Sequence, residues 1–252
     1  MRHPVSRTRL VGLMIAAALL PGPAAAVLGG RDDPGPMARR SVMVLDSRGG
    51  VCSGVVVARD AVLTAAHCVT GAPEHRVHFR GADGAPVLIA PAAKAVHPGY
   101  DASAIERRRR SIDLALIRLP EPLPDRFDTA TLASAGALKD ERIVLGGWGV
   151  LREGDPRSSG TFRTAALGVV EPYGPSRILI WAQDPERAGA GACRGDSGGP
   201  IARADAVVAV TTWASGGKGR DCGGFTQGVL VGPQRDWIDR TLKGWGREAR
   251  WE

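Results

Sequence analysis

Three short frames hold the residues best able to do chemistry. Leu63-Thr64-Ala65-Ala66-His67-Cys68 carries a histidine. Ser111-Ile112-Asp113-Leu114-Ala115-Leu116-Ile117 carries an aspartate at the head of an apolar run. Gly191-Ala192-Cys193-Arg194-Gly195-Asp196-Ser197-Gly198-Gly199-Pro200 carries a serine among glycines. A serine hydroxyl is a weak nucleophile at neutral pH and needs an adjacent base. A histidine can take its proton and later return it to a leaving group. An aspartate beside that histidine would fix its tautomer and stabilise the imidazolium. Charge developing on a substrate oxygen needs fixed donors, and glycines let the backbone turn tightly enough to supply them. Taken singly, each residue has an ordinary reading. A lone histidine is structural or on the surface, an aspartate before a strand ends a loop, and Gly-Asp-Ser-Gly-Gly makes a turn.

Together, in the order His, Asp, Ser, the frames resemble the chymotrypsin-like (trypsin-like) serine peptidases. The resemblance covers nearly the whole chain after residue 26. It implies a serine endopeptidase that hydrolyses peptide bonds through an acyl-enzyme, with His67, Asp113 and Ser197 as its triad. The backbone N–H groups of Gly195 and Ser197 would form the oxyanion hole. The implied fold is all-β: two antiparallel β-barrels with the active site in the cleft between them, and a short C-terminal helix. Residues 27–130 would form the first barrel, with His67 and Asp113. Residues 131–252 would form the second, with Ser197, the specificity pocket and the helix. Gly147-Trp148-Gly149 matches the family's Gly-Trp-Gly frame early in the second barrel.

The resemblance also points to substrate-binding positions: Gly191, Ala192, Arg194, Thr212, Trp213 and Ala214. Gly191 stands six positions before Ser197, where the trypsin branch keeps an acid. Without that charge, burying a lysine or arginine side chain of the substrate would be costly. Cutting after apolar or small residues is therefore expected, unless Asp221 enters the pocket from the far wall. Thr212-Trp213-Ala214 departs from the usual Ser-Trp-Gly strand. Thr212 keeps a hydroxyl that could support Asp113, and Ala214 adds a methyl at the pocket mouth. Arg194 stands at the pocket rim. Arg107 to Arg110 form a basic run just before Asp113, in a loop that borders the substrate's acyl side in this family. The run can attract acidic substrate residues, or be a solvated charge run or a cut site.

Short β-type runs supply the elements that must position these residues. They are Val42–Leu45, Gly54–Ala58, Ala61–Thr64, Arg76–Phe79, Leu114–Ile117, Arg142–Leu145, Thr164–Val170, Arg177–Trp181, Ala206–Thr212 and Phe225–Val231. Turn residues separate them at intervals typical of barrels and sandwiches. From Gln234 to Trp245 the pattern turns helical, with Trp237, Ile238 and Leu242 able to share one face. The 252 residues, 44% apolar, suit one globular unit or two small packed subdomains.

Residues 1–26 read as a secretory signal. Arg2, Arg7 and Arg9 precede the apolar run Leu10–Leu20, Pro21-Gly22-Pro23 breaks it, and Ala24-Ala25-Ala26 offers a cleavage site. Its removal lowers the formal charge from +7 to +4, a mild balance that gives no sign of a nucleic-acid partner. Four cysteines behind a signal imply two disulfides in an oxidising compartment. Sequence leaves three pairings open, and the resemblance pairs Cys52 with Cys68 and Cys193 with Cys222. No Cys-x-x-Cys spacing occurs, and the loop Val69–Arg76 holds only Glu74 as an acid, so no metal or other cofactor is expected. The expected protein is a secreted or periplasmic monomer without a stable membrane anchor, acting on proteins or peptides. Its Ala-, Arg- and Gly-rich composition is of the kind GC-rich bacterial genes encode.

Val27-Leu28-Gly29-Gly30 resembles the Ile-Val-Gly-Gly start of active family members. Cleavage after Ala26 would free the Val27 ammonium to pair with Asp196, making signal removal the activating step. A competing class is a non-catalytic binding protein on the same fold, and esterase activity at the same serine is a third. None of the triad residues is missing.

Overall fold

The computed structural model describes residues 27–104, 106–107, 109–217 and 219–252. The secretory signal expected over residues 1–26 therefore lies outside the described residues. In chain order the elements are β1 (Arg31–Asp32), α1 (Pro36–Arg39), β2 (Ser41–Asp46), β3 (Val51–Ala58), β4 (Ala61–Thr64), β5 (His75–Arg80), β6 (Pro86–Ile89), β7 (Ala93–Val96), β8 (Ala115–Arg118) and β9 (Thr131–Leu132). There follow β10 (Arg142–Gly147), β11 (Arg163–Val170), β12 (Leu179–Gln183), β13 (Pro200–Arg203), β14 (Ala206–Gly216), β15 (Gly223–Leu230), α2 (Arg235–Gly244) and β16 (Arg250–Trp251).

The chain is all-β apart from its short helices, in two barrel-like sheets. The first has seven strands in the order β6-β5-β2-β3-β4-β8-β7. In the second, β13-β10-β11-β12-β15-β14 forms a ring that closes where β14 pairs with β13. Strands β9 and β16 extend this sheet beyond β14, and β1 lies on β11. So although it precedes the first barrel in sequence, the segment carrying β1 is docked on the second.

Valine and leucine fill the barrels because their side chains pack well on a pleated, half-buried surface. Val42, Val44, Val56, Val62, Val77 and Ile117 fill the first interior. Leu145, Leu167, Ile180 and Ile201 fill the second. A third cluster joins the two sheets: Val55, Leu63 and Leu116 meet Val210, Val229, Ile238 and Leu242. Helix α2 buries Ile238 and Leu242 there, while Trp237 packs edge-on against His97 at 4.8 Å. The barrels thus share core, which fixes the walls of the cleft between them.

The long apolar strands lie where the sequence pattern places them, within a few residues. Strands β6, β7 and β13 escape it. The first two sit at the outer edges of their sheet with alternate residues half-exposed, and so lack a strong apolar run. Strand β13 follows the glycines of the serine frame so closely that it reads as part of a turn.

Candidate active site

His67 occupies a single 3-10 turn, Ala66–Cys68, directly after β4. Asp113 lies just before β8. Strands β4 and β8 are antiparallel with Thr64 opposite Ala115, so the chain leaves β4 and enters β8 at the same end. This register brings the two side chains together. Asp113 Oδ2 is 2.6 Å from His67 Nδ1, and Asp113 Oδ1 accepts the His67 backbone N–H at 2.9 Å. Held at ring and backbone by one carboxylate, the imidazole cannot rotate freely. Its Nε2 lies 3.6 Å from Cys68 Sγ.

Ser197 is carried on a loop pinned to both sheets. Its carbonyl accepts the Ser53 N–H of β3 at 2.7 Å, and Gly198 N–H donates to Thr211 O of β14 at 2.7 Å. The buried Ser53 hydroxyl donates to Gly195 O at 2.8 Å and accepts the Trp148 N–H at 2.9 Å. Thr64 Oγ1 donates to Ser53 O at 2.8 Å. A Cβ on Gly198 would stand 2.0 Å from Ser53 O, which excludes any side chain at that position. Cys68 Sγ also lies 3.7 Å from Ser197 O, so the disulfide is where serine and histidine converge. Among the described residues no hydrogen bond joins Ser197 Oγ to His67 Nε2. Such bonds commonly tighten only when substrate binds. Nor do the N–H groups of Gly195 and Ser197 donate to any described protein acceptor. Gly195, at φ +95°, adopts a backbone conformation that side-chain-bearing residues avoid. Two neighbouring donors are thus left for an incoming oxygen.

Asp196 is fully buried. Its Oδ1 accepts Gly149 N–H and its Oδ2 accepts Cys193 N–H, both at 2.9 Å. Burial pushes its carboxyl up to about 7, against the pull of these N–H groups and the Arg163 guanidinium. The carboxylate also explains the Gly-Trp-Gly frame, because a Cβ on Gly147 or Gly149 would meet Asp196 Oδ1 at 2.2 or 2.5 Å. Val27 is completely buried, and Leu28 bridges to Gly191, whose N–H donates to Leu28 O at 2.9 Å.

Cys52 is bonded to Cys68, and Cys193 to Cys222. The atoms of Cys52, His67 and Cys68 are grouped closely enough to ligate a metal. Joined to each other, however, the two sulfurs are not thiolates.

Where the sequence places the specificity pocket, Ala214 of β14 stands opposite Thr226 of β15. The fully buried Thr226 accepts the Ala192 N–H on its hydroxyl at 2.9 Å. A Cβ on Gly191 would meet Thr226 Oγ1 at 3.3 Å. Sequence reading missed Thr226, because the irregular register of β15 concealed which residue faces Gly191. It missed Ser53 as well, which looks like any small residue in a buried strand. Two expectations need correction. Thr212 does not support Asp113: its Oγ1 is buried without a hydrogen-bond partner. Asp221 does not enter the pocket: its carboxylate meets Arg194 at 3.3 Å with both side chains exposed, and its N–H donates to Glu153 Oε1. The Arg220 guanidinium lies beside Gly189 and Gly223. Trp213 is half-buried, its ring edge-on to Trp181 at 5.8 Å.

The family model for trypsin matches residues 28–238. The chain belongs to the trypsin family. It is similar to a vitellin-degrading protease of Bombyx mori, 28% identical over 86% of this chain and 85% of the relative. A trypsin-like protease of Streptomyces glaucescens is 31% identical over 66% of this chain and 65% of that one. Among solved structures, neuropsin, a serine protease of mouse brain, shares the fold at a TM-score of 0.70, covering 84% of this chain and 98% of its own at 24% identity. As a member of the trypsin family the protein is a serine-type endopeptidase, and its substrates are proteins or peptides.

Proposed function

We propose that Ser197 attacks the scissile carbonyl while His67, oriented by Asp113, takes its proton and passes it to the leaving amine. The Gly195 and Ser197 N–H groups receive the oxyanion, and water then releases the acyl group by the same steps in reverse. The observation that carries this reading is the double hold of Asp113 on His67 at 2.6 and 2.9 Å, beside a serine loop with two uncommitted N–H donors. Ser197→Ala is expected to lower kcat about 10⁴-fold or more, with His67→Ala similar and the double variant little worse. Peptide hydrolysis by Ser197→Ala near the parent rate would sink the assignment. A non-catalytic binding protein would leave Ser197 unlabelled by a serine-directed phosphonate.

The pocket supports cutting after small or apolar residues. Thr226 and Ala214 stand opposite each other beside Gly191, and none of the three supplies a negative charge for a lysine or arginine side chain. On matched peptides differing only before the cut, Ala and Val are expected to exceed Arg and Lys by at least about 10-fold in kcat/KM. A preference for Arg would overturn this pocket assignment.

Activation by cleavage after Ala26 fits the burial of Val27 beside the Asp196 loop. In the uncleaved chain Val27 is held at φ +46°. That conformation strains a β-branched residue, and cutting the preceding bond removes the constraint. Secretion is the matching cellular reading, because both disulfides need an oxidising compartment. Among the described residues no helix is long and apolar enough to cross a membrane. A monomer is the simplest working form.

A further inference from the structure

We infer that the arginine-rich loop before Asp113 is a substrate-recognition element that draws acidic peptide segments to the catalytic cleft. The inference rests on the peptidase reading above and adds a substrate class to it.

The loop is built as a projection with a fixed stem. Ile112 N–H donates to Gly99 O at 3.0 Å, and His97 N–H donates to Leu114 O at 2.9 Å. Asp101 N–H donates to Ser111 Oγ at 2.8 Å, closing the next rung. Asp101 then caps the turn by accepting both the N–H and the hydroxyl of Ser103. Arg107 N–H donates to Ser103 O at 2.9 Å, and Arg109 N–H to Ala104 O at 2.8 Å. The stem ends beside Asp113, whose carboxylate holds His67. Tyr100, on the same stem, has its phenol pushed up by burial first and then by the charges of Asp113 and Asp101. The hydrogen-bonded stem therefore holds the base of the loop beside Asp113.

Arg107, Arg109 and Arg110 are exposed, and none of the three forms an ion pair with a described residue. The loop's own acids offset them only in part. Asp101 feels the charges of Arg107 and Arg109 but forms an ion pair with neither, its carboxylate accepting from Ser103, and Glu106 is the one other acid in the sequence from Asp101 to Arg110. Two arginines of the second barrel differ in this respect: Arg194 meets Asp221, and Arg220 lies 4.0 Å from Glu153. A structured cluster of unpaired guanidinium groups at the edge of a cleft concentrates oppositely charged ligands and steers their approach. Guanidinium groups also match carboxylates in shape and charge. Because the cluster borders the cleft of an endopeptidase, its ligand is the peptide being cut.

The test uses internally quenched peptides of one sequence that carry Glu at the flanking positions, on the N-terminal side in one set and the C-terminal side in another. Each is paired with its Gln counterpart. For the parent enzyme, kcat/KM at low ionic strength is expected to favour Glu over Gln on at least one flank by about 10-fold, shrinking as salt is added. In the triple variant Arg107→Gln, Arg109→Gln, Arg110→Gln the ratio is expected to fall to about one. Because the ratio compares two substrates of the same enzyme, loss of folded protein cannot mimic it. Equal rates for Glu and Gln peptides in the parent, or a ratio that survives the triple substitution, would overturn the inference while leaving the peptidase reading intact. Failure of the parent to cleave any peptide or to react with a phosphonate would overturn the peptidase reading itself.

Discussion

Ser53 ties together more of the site than any residue of the proposed triad does. One small side chain spans the cleft, donating to Gly195 O and accepting from Trp148 N–H, while its backbone N–H holds Ser197 O. Ser53→Ala would leave a buried donor and a buried acceptor unsatisfied, at a cost of about 1–3 kcal/mol. It would also let the loop bearing the proposed oxyanion donors drift. We expect kcat to fall about 10-fold or more with KM little changed, since donors misplaced by fractions of an ångström act mainly on the transition state. Ser53→Thr, which keeps the hydroxyl, should recover part of the loss. Equal kcat in Ser53→Ala and the parent would remove Ser53 from the positioning machinery. This role could not be read from the sequence. The residues of the proposed triad stand in frames whose residue types point to nucleophilic chemistry. The duty of Ser53 depends on which backbone atoms the fold brings within 3 Å of it. Thr226 is hidden for a related reason: its approach to Gly191 follows from register shifts between β14 and β15.

At the scale of elements, alternation and turn residues locate the strands that carry a continuous apolar run, and they locate α2 through Trp237, Ile238 and Leu242. They do not reveal partnership between strands far apart in sequence. Strand β1 is the clearest case. Its residues are charged and exposed, yet it pairs with β11, placing Arg31 opposite Thr164 and Asp32 opposite Arg163. Two side-chain contacts complete the strap. Asp32 Oδ1 meets the buried Arg163 guanidinium at 2.5 Å, and Thr164 Oγ1 donates to Asp33 Oδ2 at 3.1 Å. Arg163 also faces Gly147 across β10, and Gly147 abuts the Asp196 carboxylate. The strap therefore anchors the segment leading back to Val27 and places the Arg163 guanidinium where its charge reaches Asp196. Local periodicity carries no trace of it, because its information lies in contacts across some 130 positions.

For the molecule as a whole, the consequence of one buried acid reaches the stability of both barrels. With the chain continuous before Val27, Asp196 has its carboxyl raised from 3.8 to about 7, chiefly by burial. A folded-state value above the unfolded one means that this group's stabilisation is fully present below pH 3.8 and is lost as pH rises through about 7. The loss is on the order of 4 kcal/mol, a large share of a typical domain's net stability. In the proposed mature chain, beginning at Val27, the sign would reverse. Its ammonium would sit beside the carboxylate and favour the ionised form, so Asp196 no longer weakens the fold above neutrality. The α-amino group, about 7.7–8.0 unperturbed, would be raised by the same partnership. Its contribution is present below that range and is lost only as pH rises through the higher folded value. Two forms of the Ser197→Ala protein test this without self-digestion, one starting at Val27 and one retaining the preceding residues. Thermal melts from pH 4 to pH 10 are expected to show the extended form losing stability between pH 4 and 7 while the Val27 form holds. Above pH 8 the Val27 form should decline in turn. In the active protein, turnover should fall reversibly over that alkaline range, as the oxyanion donors lose the ordering supplied by Asp196. Parallel melting curves for the two forms would mean that the Val27 terminus does not reach Asp196, and that activation by cleavage after Ala26 is wrong.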